Sequence, residues 1–453
     1  MPAIGILGLG RSGRAAARLA LARGDDVYAS DVSDDPDLRA AAEDIRRADG
    51  DAEVGRHSID RLAQCDLIVV SPGIAPTAPV LTDPRVSAIP CISELEYAYR
   101  HLDAPVIGVT GTNGKSTTTA LAAHLLQAAD FDAPAAGNIG LALSEIALRA
   151  DPPDWVVVEA SSFQLAGIDR FAARIGVVTN LSPDHLDRYA SVEAYYADKA
   201  KLFRNALPSN VWVLNGDDGA VRALLPGDAP GERRFFRTAG PLDAAERGAW
   251  LQEDRLIVRE ATDEPLLDVH EMRIMGRHNH ANALAAALAA LAAGADADAI
   301  RSGLRSFAGL AHRLEVVGEA DGVIWINDSK ATNPASTRVA LQSMTRPTVL
   351  LLGGRHKGEP YTALLPELRE HVHSVVAYGE AADSIMADLG GHIEVERVSG
   401  GFERVVERAA ALARPGDAVL LSPACSSFDM FRDYEERGRR FRALVRQQAG
   451  ERG

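Results

Sequence analysis

The chain has 453 residues, 47% of them hydrophobic and 25% charged, with a formal net charge of −15 at pH 7. That length exceeds a single core and predicts two to four domains of about 100–200 residues each. The composition excludes a disordered chain, and the acidic balance excludes a nucleic-acid partner, which requires a basic face.

Anionic small molecules stay possible, because a few lysines, arginines and helix N-termini make a positive pocket even in an acidic protein. Cys65, Cys91 and Cys425 are odd in number and widely spaced, which reads as free thiols in a reducing cytosol. The N-terminus enters a strand almost at once, without a signal-type stretch. No run approaches the roughly 18 apolar residues of a membrane span. The expectation from composition is a soluble cytoplasmic multidomain protein without membrane insertion; a monomer is expected as well.

In chain order, Ile4–Leu7 reads as a short apolar strand, followed by Gly8-x-Gly10-x-x-Gly13 and a helix to about Ala22. A second strand leads to Asp31, 18 residues after Gly13. Strand, glycine turn and helix in this order place a diphosphate on a helix N-terminus and an acidic side chain near a ribose. Such a site suits a nicotinamide or flavin dinucleotide, and equally a UDP-sugar. The apolar strand Asp66–Val70 then ends in Ser71-Pro72-Gly73-Ile74, a strand-end loop where open α/β sheets bind ligands. A plain turn is the other reading of that loop.

The pattern restarts near Leu102–Pro105, which marks a domain boundary. An apolar strand-like run beginning at Val106 meets the Gly-rich turn Gly111-Thr112-Asn113-Gly114-Lys115-Ser116-Thr117, which leads into an alanine-rich helix. Backbone amides of such a turn face phosphates, the lysine reaches the outer ones, and the Ser116 hydroxyl suits Mg²⁺. The turn departs from the generic P-loop spacing, since Val109 stands where its first glycine belongs. Gly137-Asn138-Ile-Gly140 presents an amide in a tight loop. The strand Trp155–Val158 delivers Glu159, a hard-cation ligand by type, followed by Ser161-Ser-Phe-Gln164. Ile175–Thr179 delivers Asn180 and a loop with His185.

Tyr195–Leu207 is expected to be helical and carries Lys199 and Lys201, which pattern alone does not separate from solvated surface charges. Residues 208–270 hold short strands and a charged insertion without evident chemistry. Asn279 and Asn282 lie three apart on one face of an alanine-rich helix, so both amides suit one ligand such as adenine or its ribose. Capping of that helix is the alternative. After Arg313 a third series of strands begins. Val323–Ile326, Thr348–Leu352 and Ala418–Leu421 each end in a polar loop: Asn327-Asp-Ser-Lys-Ala-Thr-Asn-Pro334, Gly353-Gly-Arg-His-Lys357 and Ser422-Pro-Ala-Cys-Ser-Ser427. The three loops are expected to converge on one edge of a parallel sheet. The sequence shows no internal repeat or low-complexity segment.

The P-loop variant Thr-Gly-Thr-Asn-Gly-Lys-Ser-Thr is similar to those of Mur ligases and folylpolyglutamate synthetases. The ordered set of motifs, from Ser-Pro-Gly-Ile through His-Leu-Asp-Arg and Asn-Asp-Ser-Lys-Ala-Thr-Asn to Ser-Pro-Ala-Cys-Ser-Ser-Phe-Asp, resembles a Mur ligase nearly end to end. The N-terminal domain argues against a folylpolyglutamate synthetase, whose P-loop lies near its N-terminus. The resemblance implies an α/β protein of three domains: 1–103 Rossmann-like and UDP-binding, 104–310 a P-loop ATPase with a mostly parallel sheet, and 311–453 Rossmann-like and amino-acid-binding. It implies ATP-dependent addition of glutamate to UDP-N-acetylmuramoyl-L-alanine through an acyl phosphate, with two Mg²⁺ ions, Mn²⁺ being a possible substitute.

Residue by residue, the resemblance puts Gly10, Arg11, Ser12, Asp31, Ser71, Pro72, Gly73, Asn138 and His185 at the UDP-substrate. It puts Gly111 to Thr117, His278, Asn279, Asn282, Arg313, Asp328 and Lys330 at ATP. Thr332, Lys357, Ser427 and Tyr434 fall to glutamate, with Tyr434 replacing the family's phenylalanine. Lys115, Glu159, His185 and Lys199 are the catalytic set, and Ser116, Glu159, His185 and Lys199 the metal set. Lys199 would act there as a carbamate, because the family's lysine precedes an Asn-Ala pair by six residues and Lys199 stands six before Asn205.

Overall fold

Short runs of Val, Ile, Leu and Ala make the strands of three sheets, one in each of three α/β domains. The computed structural model describes residues 1–186, 188–274, 276–448 and 450. The chain divides into two units, Met1–Glu271 with His280–Ser306, and Met272–Asn279 with the chain from Phe307 onward.

The first unit holds two sheets. β1 (Ala3–Leu7), β2 (Asp26–Asp31), β3 (Asp51–Val54), β4 (Leu67–Val70) and β5 (Cys91–Ser93) form the first, in the order β3-β2-β1-β4-β5. All its pairings are parallel. The second comprises β6 (Val106–Thr110), β7 (Ala135–Gly137), β8 (Val156–Glu159), β9 (Ile175–Val178), β10 (Val211–Asn215), β11 (Glu232–Arg237), β12 (Arg247–Gln252), β13 (Arg255–Arg259) and β14 (Asp263–Asp268). Its order is β14-β13-β12-β11-β10-β9-β6-β8-β7. β6, β8 and β9 are buried along their whole length, as expected of parallel strands covered on both faces.

The segment without evident chemistry, 208–270, supplies β10 to β14. Beyond β12 the pairing turns antiparallel, and β13 alternates fully buried residues with exposed or half-buried ones, so this end of the sheet meets solvent on one face. Its charges pair with each other, as Arg259 does with Asp263. The helix expected over Tyr195–Leu207 runs instead over Val192–Ala200, followed by a 3₁₀ turn at Lys201–Phe203. The Ser191 hydroxyl accepts from Ala194 N at 3.2 Å, an N-cap that starts the helix earlier than its apolar pattern.

Two buried glutamates on the short helix Glu94–Tyr99 join the sheets of this unit. The Glu96 carboxylate accepts from the amides of Asp169 (2.9 Å), Arg170 (3.0 Å) and Phe171 (2.9 Å) and from Arg100 Nε (2.7 Å). Glu94 Oε1 accepts from the Ser144 amide and hydroxyl, at 2.8 and 2.6 Å.

The second unit holds β15 (Glu315–Ala320), β16 (Val323–Asn327), β17 (Thr348–Gly353), β18 (Val372–Tyr378), β19 (Val395–Arg397) and β20 (Ala418–Leu421). Their order is β15-β16-β20-β17-β18-β19, with only the β15–β16 pair antiparallel. Cores lie on both faces of this sheet, around Leu350 and Ile385 on one and Val419 and Phe441 on the other. Among the described residues no helix is long and apolar enough to cross a membrane.

Removing Glu96 would strand the three amides and the Arg100 guanidinium it serves. Glu96→Ala should lower the unfolding free energy by about 3–5 kcal/mol, measured by urea denaturation. A loss below about 1 kcal/mol, the worth of an exposed ion pair, would mean that water replaces the carboxylate at no cost.

Candidate functional site

β6 ends at Thr110, and the glycine turn folds back against the ends of β9 and the helix Arg277–Ala292. A methyl at Gly111 (φ +140°) would fall 2.0 Å from Thr179 Oγ1, and one at Gly114 (φ +79°) 2.3 Å from Asn282 Oδ1. Only glycine admits both the backbone angles and these approaches. The loop after β9 then fixes the turn. Thr112 N donates to Asn180 O at 2.8 Å, Asn113 N to Asn180 Oδ1 at 2.9 Å, and Thr179 Oγ1 to Asn113 O at 2.6 Å. Asn282 Oδ1 accepts from Thr118 Oγ1 at 3.2 Å, so this asparagine braces the helix that follows the turn. Ser116 and Thr117 are buried in the first turn of that helix, Lys115–Ala128.

Glu159 ends β8, beside β6, and is buried. Asn138 Nδ2 donates to its Oε1 at 2.8 Å, while Oε2 is buried without a hydrogen-bond donor. A buried carboxylate oxygen left open next to a phosphate-type turn suits a hard cation. No three His, Cys, Asp or Glu side chains among the described residues cluster as a self-sufficient metal site. A cation here therefore depends on hydroxyl and phosphate oxygens as well.

Lys199 and Lys201 part company in the structure. Lys199 is 1% exposed, its Nζ 2.6 Å from Gly111 O and 4.5 Å from the centre of the Tyr195 ring. Burial, then the Lys115 ammonium, pull its pKa down to about 7 against the pull of Asp184 and Glu159. At neutral pH a large share of this amine is uncharged and nucleophilic. Lys201 is part-exposed, pairs with Asp198 at 2.8 Å and donates to Ala166 O at 2.9 Å. His185 (φ +54°) stands half-exposed in an aromatic group, 5.1 Å from Phe163 and 5.9 Å from Tyr195 between ring centres. Asp187, in the same loop, lies outside the described residues.

Toward the first sheet, Gly10 caps the helix Arg11–Ala22 without a side-chain bond and borders open space, which suits an anion. Both Asp31 oxygens already accept backbone amides, from Leu9 at 2.8 Å and Ser33 at 2.9 Å, so Asp31 shapes the glycine loop. Ser71 Oγ donates to Gly8 O at 3.2 Å, which seats Ser71-Pro72-Gly73 beside that loop. Arg11 reaches the Gly137–Gly140 loop, donating to Gly140 O at 2.7 Å and Gly137 O at 3.2 Å. Ser12 lies half-buried at the start of the helix. The sequence does not single out Arg188. It stacks 4.1 Å over Phe163 and donates to Pro72 O at 3.4 Å.

In the second unit the loops after β16, β17 and β20 meet at the carboxyl edge, because those strands are neighbours. Ser422 Oγ donates to Asp328 Oδ2 at 2.8 Å, Gly353 N to Pro423 O at 3.1 Å and Arg355 N to Ser426 O at 2.9 Å. Arg437, fully buried on the helix Tyr434–Gln448, ties them together. It donates to Ser329 Oγ and O at 2.9 Å each and to Cys425 O at 3.1 Å. Sequence reasoning missed Arg437, because a lone arginine in a charged helix carries no signal of burial. Lys330 Nζ lies 5.8 Å from the Tyr434 ring centre, Ser427 is buried, Thr332 is half-buried and Lys357 is exposed. His278 Nδ1 lies 3.4 Å from Ser343 Oγ and Asn279 is buried. Arg313 sits between His312 and Leu314, both at positive φ. Leu314 N donates to Asp328 Oδ1 at 3.2 Å.

Segments 2–93, 109–290 and 312–425 match the MurD-like N-terminal domain of Mur ligases, the Mur ligase middle domain and the Mur ligase glutamate ligase domain, respectively. The UDP-N-acetylmuramoylalanine–D-glutamate ligase of Salinibacter ruber is 41% identical, the match covering 97% of this chain and 96% of its own. That of Anaeromyxobacter dehalogenans is also 41% identical, over 98% and 97%. A pseudomurein peptide ligase type C from Methanothermus fervidus has the same fold at 19% identity, with a TM-score of 0.60 over 99% of this chain and all of its own.

Burial pushes the Asp328 carboxyl up to about 7, offset in part by Ser422 and Arg313. Between about pH 4, where a free aspartate ionises, and about 7 the folded form keeps a proton that the unfolded form has lost. The stability this proton contributes is therefore complete below that window and gone above it. Asp328→Asn, which cannot ionise, should gain on the parent by about 1–3 kcal/mol between pH 5 and pH 8, read by urea unfolding. An equal difference at both pH values would show that Asp328 is ionised throughout.

Proposed function

We propose that this chain, which belongs to the Mur ligase family, joins D-glutamate to UDP-N-acetylmuramoyl-L-alanine with ATP in peptidoglycan precursor synthesis. One observation carries the reading. The phosphate-type turn, the open oxygen of Glu159 and the buried amine of Lys199 meet at the ends of adjacent elements, in a chain 41% identical nearly end to end to ligases of that name. Residues 1–103 are assigned to UDP, 104–310 to ATP and 311–453 to glutamate. The nucleotide substrates place the enzyme in the cytoplasm, where it acts as a monomer.

In this reading the terminal carboxylate of the UDP-substrate attacks the γ-phosphorus of ATP. The bond to the β-phosphate oxygen breaks, giving an acyl phosphate and ADP. The glutamate amine then attacks the acyl carbon, loses a proton, and expels phosphate as the amide forms. The reactants are all anionic, so the residues mainly neutralise and align. Amides of Gly111 to Gly114 and the Lys115 ammonium hold the phosphates, with Thr117 in the same turn. His278, Asn279, Asn282, Arg313, Asp328 and Lys330 are assigned to ATP as well. Gly10, Arg11, Ser12, Asp31, Ser71, Pro72, Gly73 and Asn138 serve the UDP-substrate, and Thr332, Lys357, Ser427 and Tyr434 the glutamate.

Glu159 and Ser116 would hold one Mg²⁺, and His185 with a carbamylated Lys199 a second, Mn²⁺ being an alternative. The metal would supply charge neutralisation on the phosphates. The carbamate supplies what an amine cannot. The uncharged Nζ of Lys199 attacks the carbon of CO₂ and loses a proton, which leaves a −1 group with two oxygens where an ammonium would repel cations.

With ATP, Mg²⁺ and UDP-N-acetylmuramoyl-L-alanine, phosphate release should need D-glutamate and fail with L-glutamate, L-lysine or glycine. Lys199→Ala should nearly abolish it, with partial return in acetate, while Lys201→Ala stays active. Full activity of Lys199→Ala would refute the carbamate, and equal turnover of the four amino acids would refute the substrate.

Lys357→Ala should raise KM for glutamate at least tenfold, since losing a charged partner to a carboxylate costs about 2–5 kcal/mol. KM for ATP should change much less. Equal damage to both would remove Lys357 from the glutamate site.

A further inference from the structure

The turn that follows β17 leaves the sheet at Gly354, and residues 355–360 are exposed without exception. Its base is fixed by the backbone pairing of Arg355 with Ser426. Beyond that pairing the segment leads away from the sheet, and Lys357 is two residues further on. A side chain from the core takes hold of it there.

Tyr361 is fully buried. Its amide donates to Asp388 Oδ2 at 2.8 Å, and its ring packs in the core on one face of the sheet, with Leu364 and Ile385. This leaves the hydroxyl in a fixed place. It lies 3.0 Å from His356 Nδ1 and 2.9 Å from Cys425 Sγ. The His356 and Tyr361 rings lie tilted to each other by 43°, 5.3 Å between centres. One phenol oxygen therefore bridges the loop after β17 and the loop after β20. It does so one residue from Lys357 and two from Ser427.

We propose that Tyr361 is a positioning residue for the amino-acid substrate: its hydroxyl clasps His356 to Cys425 and so sets where the Lys357 ammonium and the Ser427 hydroxyl present themselves to a substrate carboxylate. The proposal rests on the assignment of Lys357 and Ser427 to glutamate. The hydroxyl touches no substrate itself. Its action is on the cost of ordering an exposed lysine, which a substrate otherwise bears on binding. The loop carrying Ser427 is already bound to Arg437 through Cys425 O, so the clasp transfers that order to the freer loop.

The test compares Tyr361→Phe, His356→Ala, their double variant and Lys357→Ala in steady-state ligation. Phenylalanine keeps the ring in the core, and His356 is exposed, so both single variants should fold with an unchanged unfolding midpoint. Each should raise KM for glutamate about threefold to tenfold, the scale of one lost hydrogen bond. In both, kcat should stay within about twofold and KM for ATP unchanged, because binding is lost uniformly. The double variant should be no worse than either single one, since both cut the same link. A glutamate KM unchanged in Tyr361→Phe but raised in Lys357→Ala overturns the clasp and leaves the ligand assignment standing. A glutamate KM unchanged in all the variants overturns both. A rise in KM for ATP equal to that for glutamate also overturns the clasp, since it marks a general loosening.

Discussion

The first unit is built around the approach of one glycine turn to the ends of neighbouring elements. At Gly111 and Gly114 no side chain fits between the turn and Thr179 or Asn282. The turn is therefore pressed against β9 and held by the Thr179–Asn180 backbone and side chains. That closeness has a chemical consequence. It brings the Gly111 carbonyl within reach of Lys199 and sets the site beside the end of β8, where Glu159 waits with one oxygen open. Two buried groups whose charges are only partly matched are costly to hold, and β6 carries the turn between two paired neighbours, β8 and β9, that fix it. Sites of this kind are drawn from the tightly packed ends of strands because looser elements would collapse onto them.

The second unit solves a related problem with a different device. Three loops must present polar groups at one sheet edge, yet each has few bonds of its own to the core. Arg437 donates to carbonyls and a hydroxyl at the ends of all three strands, and a guanidinium offers enough donors in a fixed plane to do this from one side chain. Its charge has no carboxylate partner in direct contact among those bonds. A buried cation satisfied by carbonyls leaves a positive field at the loops, which suits a unit whose assigned substrate carries two carboxylates.

How much of this was legible in the residues follows from which forces act locally. The strand with an unbroken apolar run at Ala418–Leu421 appears where the pattern puts it, because burial on both faces leaves no other element of that length. The strand-end positions of Glu159, Asn180 and Asp328 followed from the same pattern. The order of strands did not, and neither did the parting of Lys199 from Lys201, since two lysines in one helix differ only in what a distant turn places over them. The helix expected to start at Tyr195 starts at Val192 because the cap at Ser191 outweighs the apolar pattern. The roles of Glu96, Arg437 and Tyr361 depend on partners 64 or more residues away, contacts that no local periodicity encodes.

The central claim is that this fold joins a carboxylate to an amine by way of an acyl phosphate, and oxygen isotopes test it most directly. The terminal carboxylate of UDP-N-acetylmuramoyl-L-alanine is labelled with ¹⁸O, and the phosphate released during one turnover with ATP and D-glutamate is analysed by mass spectrometry. The account predicts one ¹⁸O in each phosphate, because the carboxylate oxygen that attacked the γ-phosphorus leaves with it. Phosphate free of label, with product formed, would contradict the account.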